Sequence, residues 1–308
     1  MAAVGNIITA SEYNSVVNNL NEFFADNYLT NTPTSSKTQN SKGWGQFPAN
    51  TVAIGDTITA ASINELINRS NLSVQQTGAG SSIATVNTGN NILASTVNSL
   101  ESNNTNILAS CNVSVDSTIT SSGADGTKAR STWSSDVSVT VTASFASFAE
   151  ARYFFNSGGQ LRYSFSNNGS TNDATAWQDL FDGSDMGTLI FSINDIAQTG
   201  TRAGNVTSGS GFYELTTTAT KLYDINVDIS PYGNSKLSLY GSINTSGNTI
   251  TLRFDLHNDG AGWGGSPDTV NGTTTIYLDN KSADSKSQNG VNFSITKPTH
   301  TATVWTGS

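Results

Sequence analysis

Thr249-Ile-Thr-Leu-Arg-Phe-Asp-Leu-His257 places Ile250, Leu252, Phe254 and Leu256 at every second position, with Thr, Arg and Asp between them. Successive side chains of a strand point to opposite faces, so this run can bury one face and wet the other. A helix would split the four apolar residues between two sides. The same alternation runs through Val137, Val139 and Val141, through Leu161, Tyr163 and Phe165, and through Leu237, Leu239 and Gly241. Thr245-Ser-Gly-Asn248 joins two of these runs in hairpin fashion. Asn156-Ser-Gly-Gly159 reads as a second hairpin turn, with Phe154 and Phe155 anchoring the strand before it. A single short helix is expected from Ala174 to Phe181. Many short half-buried strands with Gly-rich turns indicate a C-terminal antiparallel β-sandwich of about 8–10 strands, covering residues 111–308.

Upstream, the period changes. Three segments align without gaps: Gly5-Asn-Ile-Ile-Thr-Ala-Ser-Glu-Tyr-Asn14, Gly55-Asp-Thr-Ile-Thr-Ala-Ala-Ser-Ile-Asn64 and Gly89-Asn-Asn-Ile-Leu-Ala-Ser-Thr-Val-Asn98. Each reads as a Gly turn, a short apolar approach and a helix. Thr9 and Thr59 stand where an N-cap belongs, and Thr9 with Glu12 forms a capping box. Tyr13, Val16, Val17 and Leu20 recur at helical spacing, as do Ile63, Leu66 and Ile67. The third copy has Leu93 at the cap position and is weaker. The fold class is therefore mainly β with an α-helical N-terminal part. Residues 1–110 form a helical repeat and attachment region. Short amphipathic helices cannot bury their stripes alone, so the copies must pack on each other, on the rest of the chain or on a partner, and an oligomer is expected.

Charged residues are only 12% of the 308, about half the usual share of roughly 25%, so the surface is wetted by neutral amides and hydroxyls. Five Trp, nine Tyr and thirteen Phe in alternating patterns argue for packed cores rather than disorder. The net charge of −9, with no basic stripe, speaks against nucleic-acid binding. No run approaches the ~18 apolar residues of a membrane span. The N-terminus lacks the basic and apolar regions of a signal peptide, so synthesis in a cytoplasm and release by lysis are expected. A single cysteine, Cys111, excludes an intrachain disulfide and reads as a small buried hydrophobe.

Signals for catalysis are weak. His257 and His300 fall on separate expected strands, without metal-ligand spacing, and read as surface or rim residues. The carboxylate pairs Asp182/Asp185 and Asp224/Asp228 are of the kind glycan cleavage uses, but 23 acidic residues produce such pairs by chance. Asp182-Gly-Ser-Asp185 has donors suited to Ca²⁺, yet lacks alternating ligands and reads as an ordinary turn. Sequons at Asn112, Asn168, Asn205, Asn271 and Asn292 follow from composition. No cofactor is expected, and metal binding is left open. In Asp259-Gly-Ala-Gly-Trp-Gly-Gly-Ser-Pro267, Trp263 either plugs the sandwich or meets a subunit, the favoured reading, or offers an aromatic face to a sugar beside Asp259. Trp44 and Gln46 of Gly43-Trp-Gly-Gln46 join Trp263 and Asp259 as candidate ligand or subunit contacts.

The Gly55–Asn64 pattern, Gly43-Trp-Gly-Gln46 and Glu150-Ala-Arg-Tyr-Phe-Phe-Asn-Ser-Gly-Gly-Gln-Leu-Arg162 together resemble virion structural proteins of marine cyanophages and related tailed phages. The resemblance spans about two thirds of the chain and carries no catalytic residues. It implies a tail, baseplate or collar fibre component that is not an enzyme and whose partners are other virion proteins. The alternative is a carbohydrate-binding adhesin for host-surface glycans. A homo-oligomer, with a trimer favoured, is expected by analogy with virion fibres. The N-terminal repeats would attach, and a self-sufficient sandwich from about Asn112 would point outward. Arg152 and Arg162 are expected to pair with carboxylates.

Overall fold

The structure is a computed structural model, and it describes residues 8–26, 42–112, 119–121, 125–259 and 269–307. The helices are α1 (Ala10–Phe24), α2 (Ala60–Thr77), α3 (Ala94–Ser110), α4 (Phe148–Asn156) and α5 (Asn172–Phe181). The strands are β1 (Ile119–Ser121), β2 (Gly126–Arg130), β3 (Val137–Ser144), β4 (Gln160–Asn167) and β5 (Leu189–Phe191). Next come β6 (Ala197–Gln198), β7 (Asn205–Val206), β8 (Thr220–Asn226), β9 (Lys236–Ile243) and β10 (Thr249–His257). The last are β11 (Thr274–Ala283), β12 (Lys286–Gln288), β13 (Val291–Phe293), β14 (Thr299–Ala302) and β15 (Thr306–Gly307). The fold is mainly β with a helical N-terminal part.

Two compact units divide the chain, and neither is continuous in sequence. The first comprises Met1–Thr120, Arg152–Gly159 and Ser282–Thr296. The second comprises Ser121–Ala151, Gln160–Lys281 and Lys297–Ser308.

In the first unit α1, α2 and α3 pack on one another. Thr9 Oγ1 accepts from Glu12 N at 3.2 Å, and Glu12 Oε2 accepts from Thr9 N at 2.9 Å, completing the capping box. Thr59 caps α2 through Ser62 N at 3.1 Å, whereas Leu93 makes no side-chain cap for α3. The connectors that follow α1 and α2 are held by asparagines. Asn14 Nδ2 donates to Val52 O and its Oδ1 accepts from Val52 N, both at 2.9 Å. Asn64 does the same to Val86, at 2.8 and 2.7 Å. Seven residues on, Asn21 grips Ala49 and Asn71 grips Ile83 in the same two-bond manner, at 2.8–2.9 Å.

The spacing has a metric cause. Seven helical residues rise about 10.5 Å, and three extended residues span about 10 Å. An asparagine at every second helical turn therefore meets an extended chain at every third residue. Going from Asn21 to Asn14 runs down the helix, while going from Ala49 to Val52 runs forward along the connector. Each connector is thus antiparallel to its helix and returns to the helix's N-terminal end.

The helical stripes are covered inside this unit. Val17, Leu20, Phe23 and Phe24 of α1 and Leu66 and Ile67 of α2 are fully buried. Trp44 lies edge-on to Phe23 at 5.6 Å and to Phe293 at 5.4 Å, bringing the β12–β13 hairpin into the same core. Among the described residues the chain's own hairpin and connectors supply this cover.

The segment around Phe154 departs from expectation. It is the helix α4, not the first strand of a hairpin. Ser147 Oγ accepts from Glu150 N at 3.2 Å, and Glu150 reaches back to Ala146 N, so Ser-x-x-Glu starts the helix. Gly158, at φ +87°, and Gly159 end it, with Gly159 N donating to Phe154 O at 2.9 Å. Adjacent strand residues point to opposite faces, but adjacent helical residues can share one broad buried face. Phe154 and Phe155 are both fully buried, with ring centroids 5.0 Å apart. Arg152 pairs with Asp26 through two bonds, at 3.0 and 3.1 Å. Arg162 instead donates to Gln160 Oε1 at 3.4 Å.

In the second unit one sheet runs β1-β11-β4-β5-β6, with β2 also on β11. The other runs β14-β3-β10-β9-β8-β7, with β15 also on β3. The registered pairs are antiparallel, and Phe254 stands opposite Val139 on one side and Leu239 on the other. Ile250, Leu252, Phe254 and Leu256 are all buried, as the alternation requires. Tyr163 and Phe165 of β4 lie 5.1 and 5.3 Å from Phe254 of β10, so aromatic rings link the two sheets. The expected short helix is present as α5. Its Trp177 meets Trp133 at 5.4 Å, and its Phe181 stacks on Phe165 at 5.3 Å.

Candidate functional site

Because each connector returns to the start of the helix it lies along, the three repeat helices begin at one common end of the first unit. Ile8, Ile58 and Ile92 occupy the same position of the motif, three residues after its Gly. All three line one broad depression of about 1310 Å³ at the helix N-termini. They are half-buried, while two further apolar side chains of the same lining face outward. Ile54 is 98% exposed and Leu93 is 61% exposed. Sequence equivalence is thereby converted into a single surface that combines an apolar floor, an apolar rim and short polar turns. Gly5, Asn6 and Ile7 of the first copy lie outside the described residues. Chemically this end can cover apolar surface. Among the described residues its lining carries one carboxylate, Asp56, whose Oδ2 accepts from Ala53 N at 2.7 Å.

Of the four contact residues expected from sequence, Trp44, Gln46 and Asp259 are described. Trp44 is fully buried, and its Nε1 donates to Cys111 O at 3.0 Å and Asn156 O at 3.2 Å. Its ring is a core element and offers no face to a ligand or subunit. The flanking glycines mark close approach, not exposure: a Cβ on Gly45, at φ +66°, would stand 2.2 Å from the Tyr153 ring. Gln46 is half-buried and engaged with Ser294, donating to its carbonyl at 2.9 Å and accepting from its N–H at 3.0 Å. Asp259 is exposed, and its N–H donates to Ser235 Oγ at 3.1 Å. Trp263 lies outside the described residues.

The titratable candidates are occupied structurally. His257 is half-buried and bonds Asp136 through Nδ1 at 2.7 Å. His300 is not a rim residue: its side chain is fully buried on β14, with Nδ1 2.8 Å from Asp125 Oδ2. Burial holds its pKa below the ordinary imidazole value, against the opposing pull of Asp125. Its Nε2, Tyr163 Oη and Asn280 Oδ1 have no hydrogen-bond partner among the described residues. Burial lifts the Cys111 thiol to about 11, so it is un-ionised at neutral pH. Asp185 accepts from Arg202 Nε at 2.9 Å, and Asp182 caps Gly183 N within the turn. Asp224 pairs with Lys221 and accepts from Asn205 at 2.8 Å. Among the described residues no cluster of His, Cys, Asp or Glu is arranged to hold a metal ion, and no helix is long and apolar enough to cross a membrane.

The clamping asparagines Asn21 and Asn71 escaped the sequence reading. Their signal was present: both stand seven residues after the motif asparagine in two aligned copies. No family model matches the chain, and neither a curated protein nor a solved structure is significantly similar to it.

Proposed function

We propose that the protein is a non-enzymatic structural component of a tailed-phage virion, of the tail, baseplate or collar fibre type. It attaches through the common end of its three repeat helices. The observation that carries this reading is the convergence of three copies of one motif on a single apolar surface with Ile54 and Leu93 exposed. A contiguous exposed apolar patch marks an interaction surface more often than an isolated exposed residue does. The low charge and the wording of Gly55–Asn64 and Glu150–Arg162 supply the link to virion proteins. In this reading the two sheets of the second unit form an antiparallel β-sandwich. The ring contacts of Tyr163 and Phe165 with Phe254 support that packing. Self-association, with threefold assembly favoured, belongs to the proposal by analogy with virion fibres alone. Locating the chain in an intact particle by labelled antibody and density mapping tests it. Presence in purified particles at a fixed tail, baseplate or collar position is expected, and absence from them would overturn the reading.

A further inference from the structure

A second concavity, of about 630 Å³, shares no residue with the attachment end. Its volume falls in the range of about 300–1,000 Å³ typical of small-ligand clefts. One face of α2 supplies Glu65, Asn68 and Arg69 to it, at i, i+3 and i+4. The turn of the β12–β13 hairpin supplies Asn289, and β13 supplies Asn292. Asn289 and Gly290 have φ of +48° and +84°, the backbone of a tight two-residue turn that holds its side chains in place. Phe47 also lines it, and this residue is 89% exposed.

The parts are fixed in advance. Arg69 is 7% exposed and lies over the Phe24 ring at 5.2 Å. It donates to Glu65 Oε1 at 2.7 Å and to the Phe47 carbonyl, which pins the backbone that presents the Phe47 ring. Arg69 Nε is buried with no hydrogen-bond partner among the described residues. Asn289 Nδ2 donates to Asn68 Oδ1 at 3.0 Å, tying the hairpin turn to the helix. Asn292 is exposed beside them. The carboxylate and guanidinium neutralise each other, so the cleft has no net charge to offer. What it offers is planar groups that donate and accept in pairs, next to one uncovered aromatic face. Vicinal hydroxyls match the first and the C–H face of a pyranose matches the second.

We propose that this cleft is a binding site for a neutral saccharide, with Phe47 stacking on a sugar ring and Asn292, Asn289 and Glu65 meeting its hydroxyls. The inference stands apart from the virion reading and does not need it. The test is titration calorimetry of the full chain with cello-, malto-, manno- and chito-tetraose, after a neutral-glycan array at the same protein concentration. Binding of at least one of these is expected. Phe47→Ala and Asn292→Ala should each weaken it at least tenfold with an unchanged melting temperature, since both side chains are exposed. Absence of binding across the array and the four tetrasaccharides would overturn the proposal. So would binding that Phe47→Ala and Asn292→Ala leave intact, or that only Trp263→Ala removes.

Discussion

The two units of this chain solve the same problem with opposite chemistry. The second unit is held by period-two alternation: Val139, Phe254 and Leu239 stand abreast and are buried together. In the first unit, amides take much of that role. Asn14, Asn21, Asn64 and Asn71 each satisfy one backbone N–H and one carbonyl of an extended connector. Asn103 does likewise for Ser81, at 3.0 and 2.8 Å. Asparagine is a mediocre helix former, and a buried polar group is costly unless bonded. Its use here is explained by what it replaces: it gives a lone extended strand the edge a sheet would provide. The lesson is that a chain poor in charge can still specify register by polar means, provided each buried amide has both its partners.

Truncation should break the comparison most severely. A fragment from Asn112 to Ser308 keeps Asn156 and Phe293 but removes Lys42, Gly43, Trp44 and Phe24, which they pack or bond with. The self-sufficient half expected from sequence is therefore not what the fragment should give. Partial unfolding is expected, with the 152–159 and 282–296 segments unprotected in hydrogen exchange. Full protection of both segments would contradict the division into units. Next in size, Phe254→Ala should cost about 3–5 kcal/mol in urea unfolding, the usual range for a fully buried ring. A loss below about 1 kcal/mol would mean that the two sheets are not held by that ring.

Asn21→Ala should cost about 2–4 kcal/mol, because it leaves a buried N–H and a buried carbonyl of Ala49 unpaired. Asn21→Leu should not restore it, although it fills the space with apolar atoms. Rescue by leucine would show that packing rather than the amide holds the connector. A smaller effect belongs to pH. The folded protein holds the His300 pKa below the free value of 6.5, so below about pH 6.5 the unfolded chain binds more protons than the folded one. Stability should be full above that pH, fall as pH drops through it, and level off below the folded pKa. His300→Gln should flatten this component of the urea midpoint between pH 7.5 and pH 5. An unchanged slope in the variant would assign the dependence to other groups.

How much of this was legible follows from the same contrast. Alternation is a local signal, so β3, β4, β9 and β10 were readable from their own residues. The caps at Thr9 and Thr59 and the weak third cap at Leu93 were readable as well. The helix α4 was missed because Asn156-Ser-Gly-Gly159 looks like a hairpin turn, although Ser147-Phe-Ala-Glu150 already carried the capping pattern. The burial of His300 and Trp44 depends on partners far along the chain, Asp125 and Asn156 among them. No local pattern encodes that. Of the candidate surfaces, the repeat motif announced three equivalent starts, but only the antiparallel connectors bring Ile8, Ile58 and Ile92 to one end.

The claim that this common end is the attachment surface is tested most directly by competition for assembly. Purified full-length protein and its Ile54→Asp/Leu93→Asp variant would each be added in excess to particles assembling in lysate, and incorporation would be measured by labelled chain per particle. Both side chains are exposed, so the variant should melt within about 0.5 kcal/mol of the parent. The parent protein is expected to enter particles, and the variant to be excluded at least tenfold. Equal incorporation of the two would contradict the claim.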